Sequence, residues 1–104
     1  MTAILTAPED ERREPRQEVL FRTRATGADG AQHLATIVNI SPRGLMVRIE
    51  GEHAPGDRIT LTLPRVGAVK AEVRWALGGR IGCRLERMIG ISDYHAVLQT
   101  MLRG

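Results

Sequence analysis

The residues of this chain best equipped for chemistry fall in two short clusters. Arg12-Arg13-Glu14-Pro15-Arg16 has an RxxxR spacing, and Asn39-Ile40-Ser41-Pro42-Arg43-Gly44 has an NxSxxG spacing, with 22 residues between Arg16 and Asn39. A guanidinium is a planar fork of donors that matches phosphate oxygens and the Hoogsteen edge of guanine, and it stacks on rings. Two of them four residues apart on an extended arm can approach one ligand from different sides. Each charge-assisted bond contributes about 1.5–3 kcal/mol when well formed. Asn39 and Ser41 offer short donors and acceptors from a strand end, Arg43 adds another guanidinium, and Gly44 permits a turn and close approach of a ligand. Together these patterns suit an anionic, guanine-bearing ligand. Each alone has a plainer explanation: a solvated basic tail, and a turn whose side chains bond their own backbone.

Other chemistries find less support. His33, His53 and His95 are far apart and, with one cysteine, make no metal-ligand spacing. Cys83 falls on the apolar side of a strand pattern and reads as a small core residue. Ser41 has no partner base in a recognisable motif, NxSxxG is not the GxSxG elbow, and no phosphate-binding glycine loop is present. The expectation is a binding protein without metal or cofactor, not an enzyme. With three aromatic residues in 104, a nucleic-acid-binding barrel lacks its stacking platform.

The elements that must carry these groups read mainly as strands. Period-two alternation runs through Val19–Ala25, Leu34–Asn39, Leu45–Glu50, Arg58–Leu63, Val69–Trp75 and Ile81–Glu86, with turn residues between the segments. Six short strands with one apolar face each predict an antiparallel barrel or sandwich. Trp75 ends the apolar side of its strand and is expected in the core or at the barrel rim. Tyr94, Val97, Leu98, Met101 and Leu102 then recur at helical spacing. Ser92 is the expected N-cap, with Asp93 in the first turn. This helix should cover the sheet or a barrel mouth, or face a partner.

Length predicts one domain with one core. Residues 1–10 lack periodicity and read as a disordered lead-in, so the domain is assigned to residues 11–104. Pro15 argues against a helix through the arginine cluster, which reads as an extended arm. No apolar run approaches the roughly 20 residues of a membrane span, and the N-terminus lacks the basic region of a signal peptide. With its single cysteine, the chain is expected in the cytoplasm. Fourteen of its 15 basic residues are Arg, a bias that a GC-rich genome could also produce, but the net charge is only +3.

These residues resemble the PilZ domain, a bacterial receptor family for cyclic di-GMP. Its two signatures, RxxxR and (D/N)xSxxG, correspond here to Arg12 and Arg16, and to Asn39, Ser41 and Gly44. Gly44-Leu45-Met46-Val47, Pro55-Gly56-Asp57-Arg58-Ile59, Val73-Arg74-Trp75 and Ile81-Gly82-Cys83-Arg84-Leu85 are similar to the family as well. The resemblance implies a six-stranded antiparallel β-barrel with a C-terminal α-helix. It implies that the arginine arm closes over cyclic di-GMP on the barrel surface. Arg12, Arg13, Arg16, Asn39, Ser41, Arg43 and Gly44 are then the expected ligand-binding residues. Glu11 stands where some members carry a further arginine that supports a ligand dimer, which bears on stoichiometry. A single-domain member acts through a partner protein, as yet unidentified, in motility, exopolysaccharide, biofilm or virulence control, and a monomer or weak homodimer is expected. Some relatives have lost the ligand and serve as interaction modules in pilus assembly or motor control. That is the alternative reading.

Overall fold

The computed structural model describes residues 16–103. Arg12, Arg13, the expected disordered lead-in and the rest of the expected arm lie outside the described residues. Six strands follow in chain order: β1 (Gln17–Thr26), β2 (Gln32–Ser41), β3 (Gly44–Ile49), β4 (Arg58–Leu63), β5 (Gly67–Leu77) and β6 (Arg80–Leu85). Helix α1 (Ile91–Arg103) follows β6. The strands close into an antiparallel barrel in the order β1-β2-β3-β6-β5-β4. A short seam, Ala25 opposite Leu61 and Thr26 opposite Thr60, joins β1 to β4. Closure at this seam shortens the exposed sheet edges.

Alternation explains the core. Ile37, Ile40, Leu45, Val47, Ile59, Leu61, Leu63, Ala71, Val73, Ile81 and Cys83 all point inward and are at most 2% exposed. Burying a Val, Leu or Ile side chain contributes about 1.5–3 kcal/mol relative to leaving it in water, so this lining is the main favourable term. Helix α1 seats Tyr94, Val97 and Met101 against the same core, with Leu98 partly buried beside them. Leu102 sits at the margin of the helical stripe and is 60% exposed.

Two expectations need correction. The Tyr94 amide donates to the Gly90 carbonyl, so Gly90 occupies the N-cap position and Ser92 lies inside the first turn. The placement of Trp75 is the second, and it and the outward aim of Asn39 both come from β-bulges. On β2, Ile37 pairs with Val47 but Asn39 pairs with Met46, so Val38 is an extra residue. On β5, Val73 pairs with Cys83 but Trp75 pairs with Gly82, so Arg74 is extra. A bulge shifts the alternation by one and re-aims the next side chain. Strict alternation would put Asn39 on the side of Ile37, and Trp75 on the side of Val73. Instead both project from the outer surface, and Trp75 is a surface residue, 37% exposed.

Candidate functional site

The β2–β3 hairpin fixes the second cluster. Ser41 pairs with Gly44, leaving Pro42 and Arg43 as a two-residue turn. Proline sets φ of Pro42 near −65°, and Arg43 is not among the residues of positive φ. Such unprimed turns match the twist of a hairpin poorly, and side chains and neighbouring segments reinforce this one. The Ser41 hydroxyl accepts from the Gly44 amide at 3.2 Å and lies 3.5 Å from the Gly44 carbonyl. Ser41 is 1% exposed, so the hydroxyl works inside the turn. The Pro42 carbonyl accepts from the Ile89 amide (2.9 Å), and the Arg43 carbonyl from the Leu85 amide (2.8 Å). The Tyr94 hydroxyl donates to the Ile40 carbonyl (3.1 Å). Three successive segments of the chain, the end of β6, the linker and α1, therefore brace the turn.

The first cluster meets this turn through Arg16. Its guanidinium donates from Nη1 to Asn39 Oδ1 at 2.8 Å. A Cβ added to Gly44 would sit 3.7 Å from Arg16 Nη2 and only 2.8 Å from the Cys83 carbonyl oxygen. Gly44 therefore lets two strands and the guanidinium approach closely, without needing an unusual φ. Asn39 also places its Nδ2 3.7 Å from Met46 Sδ. Arg43 is exposed at the tip of the turn. The structure thus gathers Arg16, Asn39, Ser41, Arg43 and Gly44 at one end of the barrel, while Arg12 and Arg13 fall outside the described residues.

A wider surface surrounds them. Asn39 pairs with Met46, Met46 with Gly82, and Gly82 with Trp75, so these four form a row across the outer face of β2, β3, β6 and β5. The indole of Trp75 lies directly on Gly82, where any Cβ would collide with it. The row therefore offers an amide at one side, a thioether in the middle and an indole at the other side. Sequence reasoning passed over Met46, Gly82 and the outward Trp75. The available signal was Gly82 within β6, since an isolated glycine in a strand marks a bulge or a close approach.

The family model for the PilZ domain matches residues 10–104. The chain belongs to the PilZ domain family. PilZ domains in general bind cyclic di-GMP and are generally non-catalytic binding modules. Comparison with curated proteins gives no match. In this PilZ domain the two signature clusters touch through the Arg16–Asn39 hydrogen bond.

Other reactive groups stand apart. Burial pushes the Cys83 thiol up to about 12, so it carries no thiolate at neutral pH. The rings of His33 and His53 meet edge to face, 5.0 Å apart, near the β1–β2 turn and the β3–β4 loop. There the Ala31 amide, foremost, holds the exposed Asp29 carboxyl below its usual range. Among the described residues no three His, Cys, Asp or Glu side chains form a metal-binding group. A hollow of about 490 Å³ opens beside His53 and Leu77, but no signature residue lines it. No helix among the described residues is long and apolar enough to cross a membrane.

Proposed function

We propose that this PilZ domain is a cyclic di-GMP receptor that binds its ligand over the Asn39–Trp75 row and, in response, controls a partner protein. The observation that carries the reading is the junction of the two signatures: Arg16 bonded to Asn39 above Gly44. Arg16, with Arg12 and Arg13 from the preceding arm, supplies guanidinium forks for phosphate and guanine edges. Asn39 supplies an amide for a guanine edge. Ser41 acts by shaping the turn and Gly44 by keeping its surface low. Arg43 adds positive charge at the rim. Trp75, with Met46 beside it, offers an apolar platform for a purine ring, a contact worth about 1–3 kcal/mol per base. The ligand is anionic, so recognition rests on charge-assisted hydrogen bonds and stacking.

Titration calorimetry tests the reading. The wild type should bind cyclic di-GMP, and Arg16→Ala should weaken binding by roughly ten- to a hundredfold, the loss of one charge-assisted bond. No heat from the wild type would end the proposal. Wild-type affinity in Arg16→Ala would place the ligand elsewhere on the barrel. The bracing of the turn by Leu85, Ile89 and Tyr94 supports a response at α1, because movement of the turn strains bonds to that helix and its linker. Motility, exopolysaccharide, biofilm and virulence outputs, cytoplasmic location and a monomer or weak homodimer are carried forward as parts of this proposal.

A further inference from the structure

A row of arginines borders the Asn39–Trp75 row on the same outer face. Arg22 pairs with Thr36, Thr36 with Arg48, Arg48 with Arg80, and Arg80 with Leu77. Directly opposed residues on adjacent strands project from the same face. Along β3, β6 and β5 the two rows are two residues apart: Met46 and Arg48, Gly82 and Arg80, Trp75 and Leu77. That is roughly 7 Å of strand.

Arg48 and Arg80 stand directly opposite each other, with Cβ atoms about 4.5–5.5 Å apart, where like charges destabilise a sheet. Both are exposed, and among the described residues neither has an ion-pair or side-chain hydrogen-bond partner. Elsewhere on the barrel, two exposed arginines face carboxylates: Arg58 bonds Glu86 at 2.8 Å, and Arg84 stands opposite Glu72. A hollow of about 430 Å³ lies beside the pair, lined by Leu34, Thr36, Arg48 and Arg80, with Glu50 as its one carboxylate. An anion seated between two guanidinium groups would relieve their repulsion.

We infer that Arg48 and Arg80 form a second anion fork, which takes the phosphodiester of the bound dinucleotide that lies farther from Arg16. This rests on the receptor reading. A cyclic dinucleotide carries two phosphodiesters on opposite sides of its macrocycle. With one held at Arg16, at the Asn39 end of the row, the other is presented across Met46 toward the neighbouring row. Arginine side chains from two residues along β3 and β6 span that gap. The bound ligand thus bridges the signature cluster and a pair of residues outside both signatures.

Calorimetry with cyclic di-GMP on the full chain tests this, using the wild type, Arg48→Ala/Arg80→Ala, Arg16→Ala, and the control Arg65→Ala/Arg103→Ala. The control removes two positive charges outside the row. The Arg48/Arg80 variant should bind at least tenfold more weakly than the control and should lose less affinity than the wild type when salt is raised. Its ligand-free melting temperature should equal or exceed that of the wild type, because a like-charge pair is gone. Its ligand-induced rise in melting temperature should shrink. If it binds as tightly as the control while Arg16→Ala is weakened, the fork is overturned and the receptor reading stands. If the wild type does not bind, both fall.

Discussion

Two hairpin turns of this barrel solve the same closure problem by different means. The β5–β6 turn is Gly78-Gly79, with φ of 61° and 80°, both in the left-handed region. Two positive φ values give the primed turn that matches strand twist, and glycine adopts them without strain. Nothing lies within 4 Å of a Cβ added to either glycine. The β2–β3 turn uses Pro42 and Arg43, keeps ordinary backbone angles, and is held by Ser41, Leu85, Ile89 and Tyr94. One turn is made by intrinsic backbone preference and the other by its surroundings. A turn made by its surroundings can respond to them, and that is the turn carrying the ligand signature. Glycine likewise has two meanings here: conformational freedom at Gly78 and Gly79, close approach at Gly44.

The largest break in this contrast should come from Gly44→Ala. The added methyl would press on the Cys83 backbone carbonyl, which can move only by shifting β6. Overpacking of this kind costs about 1–3 kcal/mol, or a melting temperature lower by roughly 4–20 °C for a domain of this size. Cyclic di-GMP affinity should fall with it. Thermal unfolding by circular dichroism and calorimetry read the two effects. A stable Gly44→Ala variant would show that the close approach is not needed.

Tyr94→Phe should come next. It removes the hydroxyl that donates to the buried Ile40 carbonyl and keeps the ring. Leaving a buried acceptor unpaired costs about 1–3 kcal/mol. Amide exchange at Ile89 and in the first turn of α1 should accelerate, while exchange in β4 and β5 should not. Uniform acceleration across the barrel would mean that Tyr94 supports global stability without any special tie to the turn.

The strands and the helix were legible in the sequence because alternation and the helical stripe are periodic signals, whereas closure into a barrel and not a sandwich was implied only by the family resemblance. Val47, Leu61, Val73 and Val97 were recoverable from period alone. The candidate site was legible in part. Spacing picked out Arg16, Asn39, Ser41, Arg43 and Gly44, but not the orientation of Asn39 or the neighbourhood of Trp75. Both depend on bulges at Val38 and Arg74, and a bulge is one residue of insertion with no composition of its own. It is defined by the partner strand, so a pattern read along a single strand runs through it unbroken. The N-cap was missed although Ser92 has the right chemistry: the first helical bond runs from the Tyr94 amide to the Gly90 carbonyl, two residues earlier.

A smaller effect is expected at Gly79→Ala. An alanine held at a φ near 80° costs about 1–2 kcal/mol. Since the turn is exposed and far along the strands from Asn39, amide exchange at Leu85 and Ile89, which brace the β2–β3 turn, should be unchanged. Faster exchange there as well would mean that the two turns are coupled, and the contrast between them would fail.

The mildest change tests the platform itself. At Gly82→Ala the new methyl meets a side chain, the Trp75 indole, and not backbone. A half-exposed ring can swing outward, so the stability loss should stay under that of Gly44→Ala, at about 1 kcal/mol or less. The displaced indole gains water, and its fluorescence emission should shift to the red. If the ring is the surface on which a guanine stacks, affinity for cyclic di-GMP falls as well, because the bulge at Arg74 aims the ring for use only while Gly82 lets it lie flat. A red shift with unchanged affinity would leave Trp75 as a cover for β6 and confine recognition to the Arg16–Gly44 side of the row. In these two glycines the same added methyl therefore distinguishes backbone that must not move from a side chain that can.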